Sequence, residues 1–370
     1  MPTVLDFLLV LFFVSIGVQV VYQLIFLVGL SRKDNTKEPQ ILPISVIVCA
    51  HDEEQNLKVL IPALLEQDHS LFEVIIVNDR SNDSTFDMLL AEASRDHRLR
   101  MVHVNRTPPH VDNKKYALTL GIKAARYEWI LLTDADCVPT SKSWISSMSA
   151  AFSEDTNFVL GYSPYQKLPG FLNKFIRFES LVTAIQYVSF ALLKMPYMGV
   201  GRNLAYRRSK FLEGKGFNNI LKITGGDDDL YVNQNATKKD TAVCVAAGAQ
   251  MVSVPKLTWG QYNKQKLRHL SVGKRYKTKH KVVLGIFNVS WILSWIIGIL
   301  LCALQYRWEW VAGLMVLRLI GWMFTCSKAC QRLSAKFETW LVPLLDFIYA
   351  FYYLVAGLRA LATKRIQWKN

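Results

Sequence analysis

Residues 131–137 read LLTDADC, an apolar run that ends in two aspartates separated by one residue. Ligands of open α/β sheets bind beyond the carboxyl ends of the strands, so Asp134 and Asp136 are expected to face one pocket there. Two carboxylates at this spacing can hold a hard divalent cation that also binds pyrophosphate oxygens. The sequence therefore predicts a metal site at Asp134 and Asp136, and Mg²⁺ and Mn²⁺ both suit all-oxygen ligation.

The segments around this run alternate between two patterns. Short apolar runs, rich in Val and Ile, are separated by amphipathic stretches of helical length. The runs are 44–49, 74–77 and 129–133, and the amphipathic stretches are 57–67, 85–94 and 116–125. Alternation of this kind predicts an α/β fold with a mostly parallel, doubly wound sheet and helices on both faces.

Two more apolar runs end in polar turns: residues 48–56 read VCAHDEEQN, and residues 77–85 read VNDRSNDST. The first turn can offer backbone amides and carboxylates to a ligand, although an acidic helix N-terminus that complements the helix dipole would look the same. In the second, Asp79 can accept hydrogen bonds from the uracil or ribose of a nucleotide. Asp83 or Ser84 would instead cap the next helix.

A fourth polar segment, residues 224–230, reads TGGDDDL. Three adjacent carboxylates repel one another, which can raise a pKa and supply a general base. A solvated acidic loop or a calcium-binding turn is the alternative. The spacing of an EF-hand is missing, so calcium is not expected.

Composition indicates one soluble domain joined to membrane segments, because 51% of the 370 residues are hydrophobic and 20% are charged. The net charge is +15, and much of it flanks apolar segments, as at 31–33 and 264–281. Motifs of nucleic-acid binders do not accompany these charges, so membrane surface or phosphates are expected as partners, and nucleic acid is not. The six cysteines form no CxxC pair, which is typical of buried thiols in a reducing compartment.

Four apolar stretches are long enough to cross a membrane. Residues 4–30 predict an uncleaved anchor, since no positive charge precedes them and no small-residue cleavage site follows. Arg32 and Lys33 follow the anchor, so the downstream domain is expected in the cytosol. The other stretches are 282–304, 308–326 and 340–361.

The sequence leaves two features of the membrane topology undecided. Residues 171–195 are amphipathic, which fits either a buried helix or a helix in the membrane interface. An anchor followed by three full spans would also place the basic tail outside, against the positive-inside tendency. Either one C-terminal stretch lies in the interface or the tendency fails here, and Asp346 and Arg359 make the last stretch the weakest span.

In order, five motifs resemble those of the family-2 glycosyltransferases: AHDEE at 50–54, NDRSNDST at 78–85, DAD at 134–136, GGDDDL at 225–230 and QKLR at 265–268. The resemblance implies a GT-A (nucleotide-diphospho-sugar transferase) fold and inverting transfer. It also implies a bacterial inner-membrane protein, and together with the apolar stretches it divides the chain into four segments. These are an anchor at 1–32, a cytosolic GT-A domain at 42–280, membrane or interfacial helices at 282–362 and a basic tail at 363–370.

The resemblance also assigns roles to individual residues. Asp227 matches the catalytic base, and Asp134 and Asp136 match the metal and pyrophosphate site. The expected donor-binding residues are Ala50, Asp52, Glu53, Asp79, Lys114, Asp134, Gln265 and Arg268. The expected acceptor-side residues are Gly201, Arg202, Asn203, Asp228 and Asp229.

Two departures from the family pattern limit what the resemblance implies. Gly226 stands where a glutamate usually precedes the base, and His269 stands where a tryptophan follows the arginine. The missing tryptophan counts against a processive polysaccharide synthase. The sequence thus predicts transfer of one sugar from a nucleotide-sugar donor, with UDP favoured, to a lipid or lipid-linked acceptor. A processive synthase and a non-catalytic sugar-nucleotide-binding scaffold are the alternatives.

Overall fold

The computed structural model describes residues 3–34, 36–38 and 41–362, so the predicted basic tail at 363–370 lies outside the described residues. The helices are α1 (Val4–Ser31), α2 (Glu54–Leu65), α3 (Thr85–Arg95), α4 (Asn113–Ala124), α5 (Trp144–Ser149), α6 (Phe171–Leu192), α7 (Arg208–Glu213), α8 (Asp229–Asn235), α9 (Trp259–Gly273), α10 (Thr278–Ala303), α11 (Trp308–Arg332) and α12 (Val342–Ala362). The strands are β1 (Ile44–Ala50), β2 (Phe72–Asp79), β3 (Leu99–Val104), β4 (Trp129–Asp134), β5 (Cys137–Pro139), β6 (Phe158–Gly161), β7 (Leu204–Arg207), β8 (Thr241–Cys244) and β9 (Met251–Ser253).

The described residues divide into two compact units. The helical unit comprises residues up to 32 together with 169–189 and 257–362, and the sheet unit comprises 33–168 and 190–256. The segments 169–189 and 257–280, which the sequence assigned to the GT-A domain, therefore group with the long apolar helices. Each unit is described by itself.

The sheet unit is built on a seven-stranded sheet in the order β3-β2-β1-β4-β7-β6-β8. β3, β2, β1 and β4 run parallel, β7 runs antiparallel to β4 and to β6, and β8 is again parallel to β6. A second sheet pairs β5 with β9. The predicted α/β class with a mostly parallel sheet is confirmed.

Helices cover both faces of the sheet, because side chains of each strand alternate between the two faces. Leu57 and Leu60 of α2 share a buried core with Val46 and Val48 on one face. On the other face α4 lies so close that a Cβ at Gly121 would come within 2.8 Å of the side chains of Ile47 and Val77. Glycine at this position therefore lets α4 pack directly on the strands.

The carboxyl ends of three parallel strands coincide. Cys49 of β1 is in register with Val77 of β2 and with Asp134 of β4. The polar turns after β1, β2 and β4 therefore meet at one edge of the sheet, which is where ligands bind in open α/β folds.

The helical unit contains five helices that are long and apolar enough to cross a membrane: α1, α6, α10, α11 and the helix ending at Ala362. Four of them are the stretches predicted from the sequence. The fifth, α6, differs from the rest because 72% of its most apolar window is buried, against 22–39% for the others. This burial favours the buried-helix alternative for the predicted amphipathic segment.

Asp346, the acidic residue that weakens the last stretch as a span, has a partner inside the helical unit. Its carboxylate lies 2.8 Å from Arg318 of α11, and both side chains are 1% exposed. Trp295 of α10 donates a hydrogen bond of 2.8 Å to Asp346 Oδ2, and Arg318 Nη2 donates to Gln19 Oε1 of α1 at 3.3 Å. The two charges thus neutralise each other between helices.

Candidate active site

The turns after β1 and β2 are bonded to each other. The Asp52 backbone N–H donates to Ser81 Oγ at 3.0 Å, and Asp52 Oδ1 accepts from the Asn82 backbone N–H at 2.7 Å. Asp52 and Arg80 both have φ = +55°, a left-handed conformation that is uncommon for residues with a side chain. Paired turns with strained backbone are typical of ligand-binding loops.

Of the predicted nucleoside contacts, Ala50 is buried at the end of β1, and Glu53 precedes α2. Asp79 is 6% exposed, and its carboxylate accepts hydrogen bonds from its neighbour Arg80 at 2.8 and 3.2 Å. Asp83 and Ser84 were the two candidates for capping α3. Asp83 makes the bond, because its Oδ1 accepts from the Thr85 backbone N–H at 3.0 Å.

Asp134 and Asp136 lie at the end of β4, as the apolar run predicted. Lys114 of α4 donates to Asp134 Oδ1 at 2.9 Å, and Lys256 lies 3.8 Å from Asp136 Oδ2. Burial raises the pKa of Asp136, and the negative charge of Asp134 raises it further. Two carboxylates that repel each other in this way are suited to share a cation.

These residues fit a divalent metal. The side chains of Asp134 and Asp136 are 34% and 29% exposed, so a cation from solvent can reach them. Among residues 3–34, 36–38 and 41–362, no cluster of three or more His, Cys, Asp or Glu side chains has the geometry of a complete metal site. A cation held here would take its remaining ligands from substrate phosphate and water, which is how Mg²⁺ commonly binds.

Asp227 lies beside Lys114, the lysine that also donates to Asp134. Its Oδ2 is 3.0 Å from Lys114 Nζ, and its side chain is 8% exposed. Burial alone would raise the pKa of Asp227, but Lys114 and Lys115 offset burial and lower it to about 2. The predicted rise of a pKa among the adjacent carboxylates therefore does not occur at Asp227, where the two lysines outweigh the effect of burial. That prediction holds for Asp228, whose pKa is raised by burial and by Asp227.

Lys115 is a site residue that the sequence did not reveal. Its side chain is fully buried, and its Nζ donates to the backbone carbonyls of Ile223 at 2.5 Å and Gly225 at 2.6 Å. Lys115 thereby fixes the glycine-containing loop that carries Asp227. The adjacent lysines at 114 and 115 were a visible signal, but the loop they contact lies more than 100 residues away in sequence.

The predicted acceptor-side residues have different environments. Asp228 Oδ2 accepts from the Gly201 backbone N–H at 2.7 Å, and Asp228 Oδ1 accepts from the Asp229 backbone N–H at 2.7 Å. Asp228 thus joins two loops. The Arg202 guanidinium lies 4.3 Å from the centre of the Tyr165 ring, and its positive charge acts to lower the pKa of Asp136. Arg202 therefore acts on Asp136, one of the two carboxylates predicted to hold a metal.

The Asn203 side chain links three segments in the interior of the sheet unit by hydrogen bonds. It is fully buried, and its Oδ1 accepts from Trp144 Nε1 at 3.0 Å. Its Nδ2 donates to the carbonyls of Tyr162 at 2.8 Å and Ala249 at 2.7 Å. Contact between this amide and an acceptor would require these bonds to break.

Asn203→Ala should lower the free energy of unfolding by about 1–3 kcal/mol, because it leaves the buried Trp144 N–H without its acceptor. Thermal unfolding of the purified protein in detergent would measure this loss. Asn219→Ala, at an exposed position, is the matched control and should unfold like wild type. Equal melting temperatures for the two variants would contradict the linking role of Asn203.

Gln265 and Arg268, the two remaining predicted donor contacts, lie on α9 in the helical unit. Within that unit the intervening Lys266 is 8% exposed, and its Nζ donates to Glu179 Oε1 at 2.5 Å and to the Tyr349 hydroxyl at 3.0 Å. These two hydrogen bonds of Lys266 attach α9 to α6 and to α12. The role of Arg268 towards a leaving diphosphate stays a prediction.

The sheet order and the carboxylates at its carboxyl edge define the fold of a GT-A, or nucleotide-diphospho-sugar, transferase. A mannosyltransferase from Pyrobaculum calidifontis, solved in complex with GDP-Man and Mn²⁺, shares this fold with a TM-score of 0.64 and 15% sequence identity, over 98% of this chain and 100% of that one. The model of glycosyl transferase family 2 matches residues 45–213. These residues are therefore a family-2 glycosyltransferase domain.

Curated relatives match parts of the chain. The poly-beta-1,6-N-acetyl-D-glucosamine synthase of Staphylococcus epidermidis is 30% identical over 105 residues, which are 28% of this chain and 24% of that protein. A probable glycosyltransferase of Bacillus subtilis is 26% identical over 206 residues, 53% of this chain and 45% of that protein. The matches thus cover less than half the length of either relative.

Proposed function

We propose that this chain is an inverting glycosyltransferase that transfers a sugar from a nucleotide-diphosphate sugar to a lipid or lipid-linked acceptor. A UDP-sugar is the first donor to test. The proposal rests on one observation: at the carboxyl edge of the sheet, Asp134 and Asp227 both form ion pairs with the same lysine, Lys114. A donor-side carboxylate and a candidate base are thereby placed within the reach of a single side chain.

In the proposed reaction, the acceptor hydroxyl attacks the anomeric carbon from the face opposite the diphosphate. The new bond joins the acceptor oxygen to that carbon, the bond from the carbon to the diphosphate oxygen breaks, and the hydroxyl proton passes to the carboxylate of Asp227. One displacement inverts the anomeric centre, so no enzyme nucleophile is required. Asp52, Glu53 and Asp79 would hold the nucleoside, and Arg268 would offset charge on the departing diphosphate.

Asp134 and Asp136 would hold Mg²⁺ or Mn²⁺ in this proposal. The metal, when bound, would supply positive charge to the diphosphate oxygens. The chain itself contributes Lys114, Lys256 and Arg202, three cations that act on these carboxylates.

The acceptor and the cellular side are proposed from the placement of charge. Residues 257–281 contain eight Lys or Arg residues and no Asp or Glu, and they lead directly into α10. Basic residues beside membrane helices favour the cytosolic side and anionic headgroups. We therefore propose a cytosolic catalytic domain of an inner-membrane protein and an acceptor that is delivered from the membrane.

Hydrolysis and transfer by the purified full chain in detergent, with a panel of UDP- and GDP-sugars and added membrane lipid, would test the proposal. Turnover should occur with one donor, require Mg²⁺ or Mn²⁺, stop with EDTA and fall in Asp136→Ala. Glu154→Ala, an exposed acidic position, is the matched control and should keep full turnover. Nucleotide binding without turnover for any donor and acceptor would instead support the scaffold alternative.

A processive synthase remains a second candidate because one relative is named a polysaccharide synthase. His269, in place of the tryptophan of processive relatives, favours single transfer. Mass spectrometry of the product distinguishes the two, because a single-transfer enzyme adds one sugar and a synthase yields a ladder of masses.

A further inference from the structure

We propose, on the basis of the proposed function, that Lys114 is a resident counter-cation of the donor site, which a divalent metal must displace from Asp134. In the metal-free enzyme Lys114 would pair with the proposed metal carboxylate, Asp134, and with the proposed base, Asp227, at the same time. Metal and nucleoside diphosphate would then bind with positive cooperativity, because the diphosphate offers Lys114 a new partner.

The first support is geometric. Lys114 Nζ lies 2.9 Å from Asp134 Oδ1 and 3.0 Å from Asp227 Oδ2, so one ammonium forms two short ion pairs. Its side chain is 22% exposed, whereas the neighbouring Lys115 is fully buried and bonded to backbone carbonyls. Lys114 can therefore be reached from solvent, while Lys115 is held in the loop.

The second support is competition for one carboxylate. Asp134 Oδ1 already accepts a hydrogen bond from Lys114, and a metal bound to the same carboxylate would lie within a few ångströms of the ammonium. Two cations at such a separation repel strongly in a partly buried site. Metal binding to Asp134 therefore requires Lys114 to move away or to find an additional anion.

The third support is the charge balance of the site. Asp134, Asp136 and Asp227 face Lys114, Lys256 and Arg202, so the charges of these six side chains balance without a metal. A metal alone would create excess positive charge, and a nucleoside diphosphate alone would create excess negative charge. Bound together they cancel, which predicts that each raises the affinity of the other by the same factor.

The consequence for chemistry concerns Asp227. While Lys114 donates to Asp227 Oδ2 at 3.0 Å, this oxygen is engaged and is less available to accept a proton. Movement of Lys114 towards the diphosphate would weaken that contact when the donor is in place. The base would thus become effective only in the loaded site.

The test is Mn²⁺ binding to the purified full chain without nucleotide, measured from the EPR signal of free Mn²⁺. Lys114→Met should bind Mn²⁺ about tenfold more tightly than wild type, since it removes a charge-assisted competitor. Lys256→Met is the matched control. It removes a looser ion pair with Asp136, so its affinity should change less than about threefold.

A second measurement repeats the titration with UDP or GDP present. Wild type should bind Mn²⁺ more tightly with the nucleotide, and this enhancement should shrink in Lys114→Met but persist in Lys114→Arg, which keeps the cation. Thermal unfolding confirms that each variant is folded, and Lys114→Gln replaces Lys114→Met if the latter is not.

Equal Mn²⁺ affinities for wild type and Lys114→Met would overturn the inference, as would weaker binding by the variant or no binding by any variant. The proposed function fails in a different way, through the absence of donor turnover. Donor turnover that requires metal, combined with equal Mn²⁺ affinities for wild type and Lys114→Met, would support the proposed function and exclude the counter-cation role.

Discussion

Asp227→Asn is expected to lower the turnover number about 10²–10⁴-fold, the range typical for loss of a general base. The amide has nearly the same shape as the carboxylate, and its oxygen can still accept a hydrogen bond from Lys114 Nζ. Donor binding should therefore change little, while proton removal from the acceptor is lost. Initial rates of transfer, with KM measured for donor and acceptor separately, would check this split.

Asp155→Asn is the control for this variant, because Asp155 is exposed on a turn of the same sheet unit. It should keep wild-type kcat and KM. A rate for Asp227→Asn within about tenfold of wild type would assign the proton acceptor to another group. Asp228 is the neighbour to test next, since burial and Asp227 raise its pKa.

The sequence was sufficient to predict the fold and the edge of the sheet at which the polar turns of the candidate site meet. Short apolar runs ending in polar turns specify parallel strands, and parallel strands bring their carboxyl ends together. Asp134 at the end of β4 and Asp79 at the end of β2 therefore lie where the pattern placed them. The long apolar helices were equally evident, because their length and composition need no tertiary information.

The contacts between elements could not be predicted in the same way. Lys114 and Asp227 are 113 positions apart in sequence, and only the packing of α4 against the sheet brings them to 3.0 Å. The direction of the Asp227 pKa shift followed from this contact, whereas the repulsion visible in the sequence raises the pKa of its neighbour Asp228. Asn203 shows the same limit, since the family resemblance suggested an acceptor contact while its amide is bonded within the core.

Removing either member of the buried Arg318–Asp346 pair is expected to destabilise the helical unit by about 3–5 kcal/mol. Arg318→Met would leave the Asp346 carboxylate buried with one remaining donor, Trp295, and Asp346→Leu would leave the guanidinium with Gln19. An uncompensated charge among apolar helices is costlier than the pair itself. Thermal unfolding in detergent would show each single variant melting well below wild type.

The double variant Arg318→Met/Asp346→Leu separates charge from packing. It removes both charges while roughly keeping side-chain volume, and such replacements of buried pairs are often neutral or stabilising. Gln19 would still donate through Nε2 to Phe287 O and Ser290 Oγ, at 2.9 and 2.8 Å. The double variant should therefore melt much closer to wild type than either single variant does. A double variant as unstable as the singles would show that α11 and α12 depend on the ion pair itself, and single variants as stable as wild type would show that neither charge is buried in the folded protein.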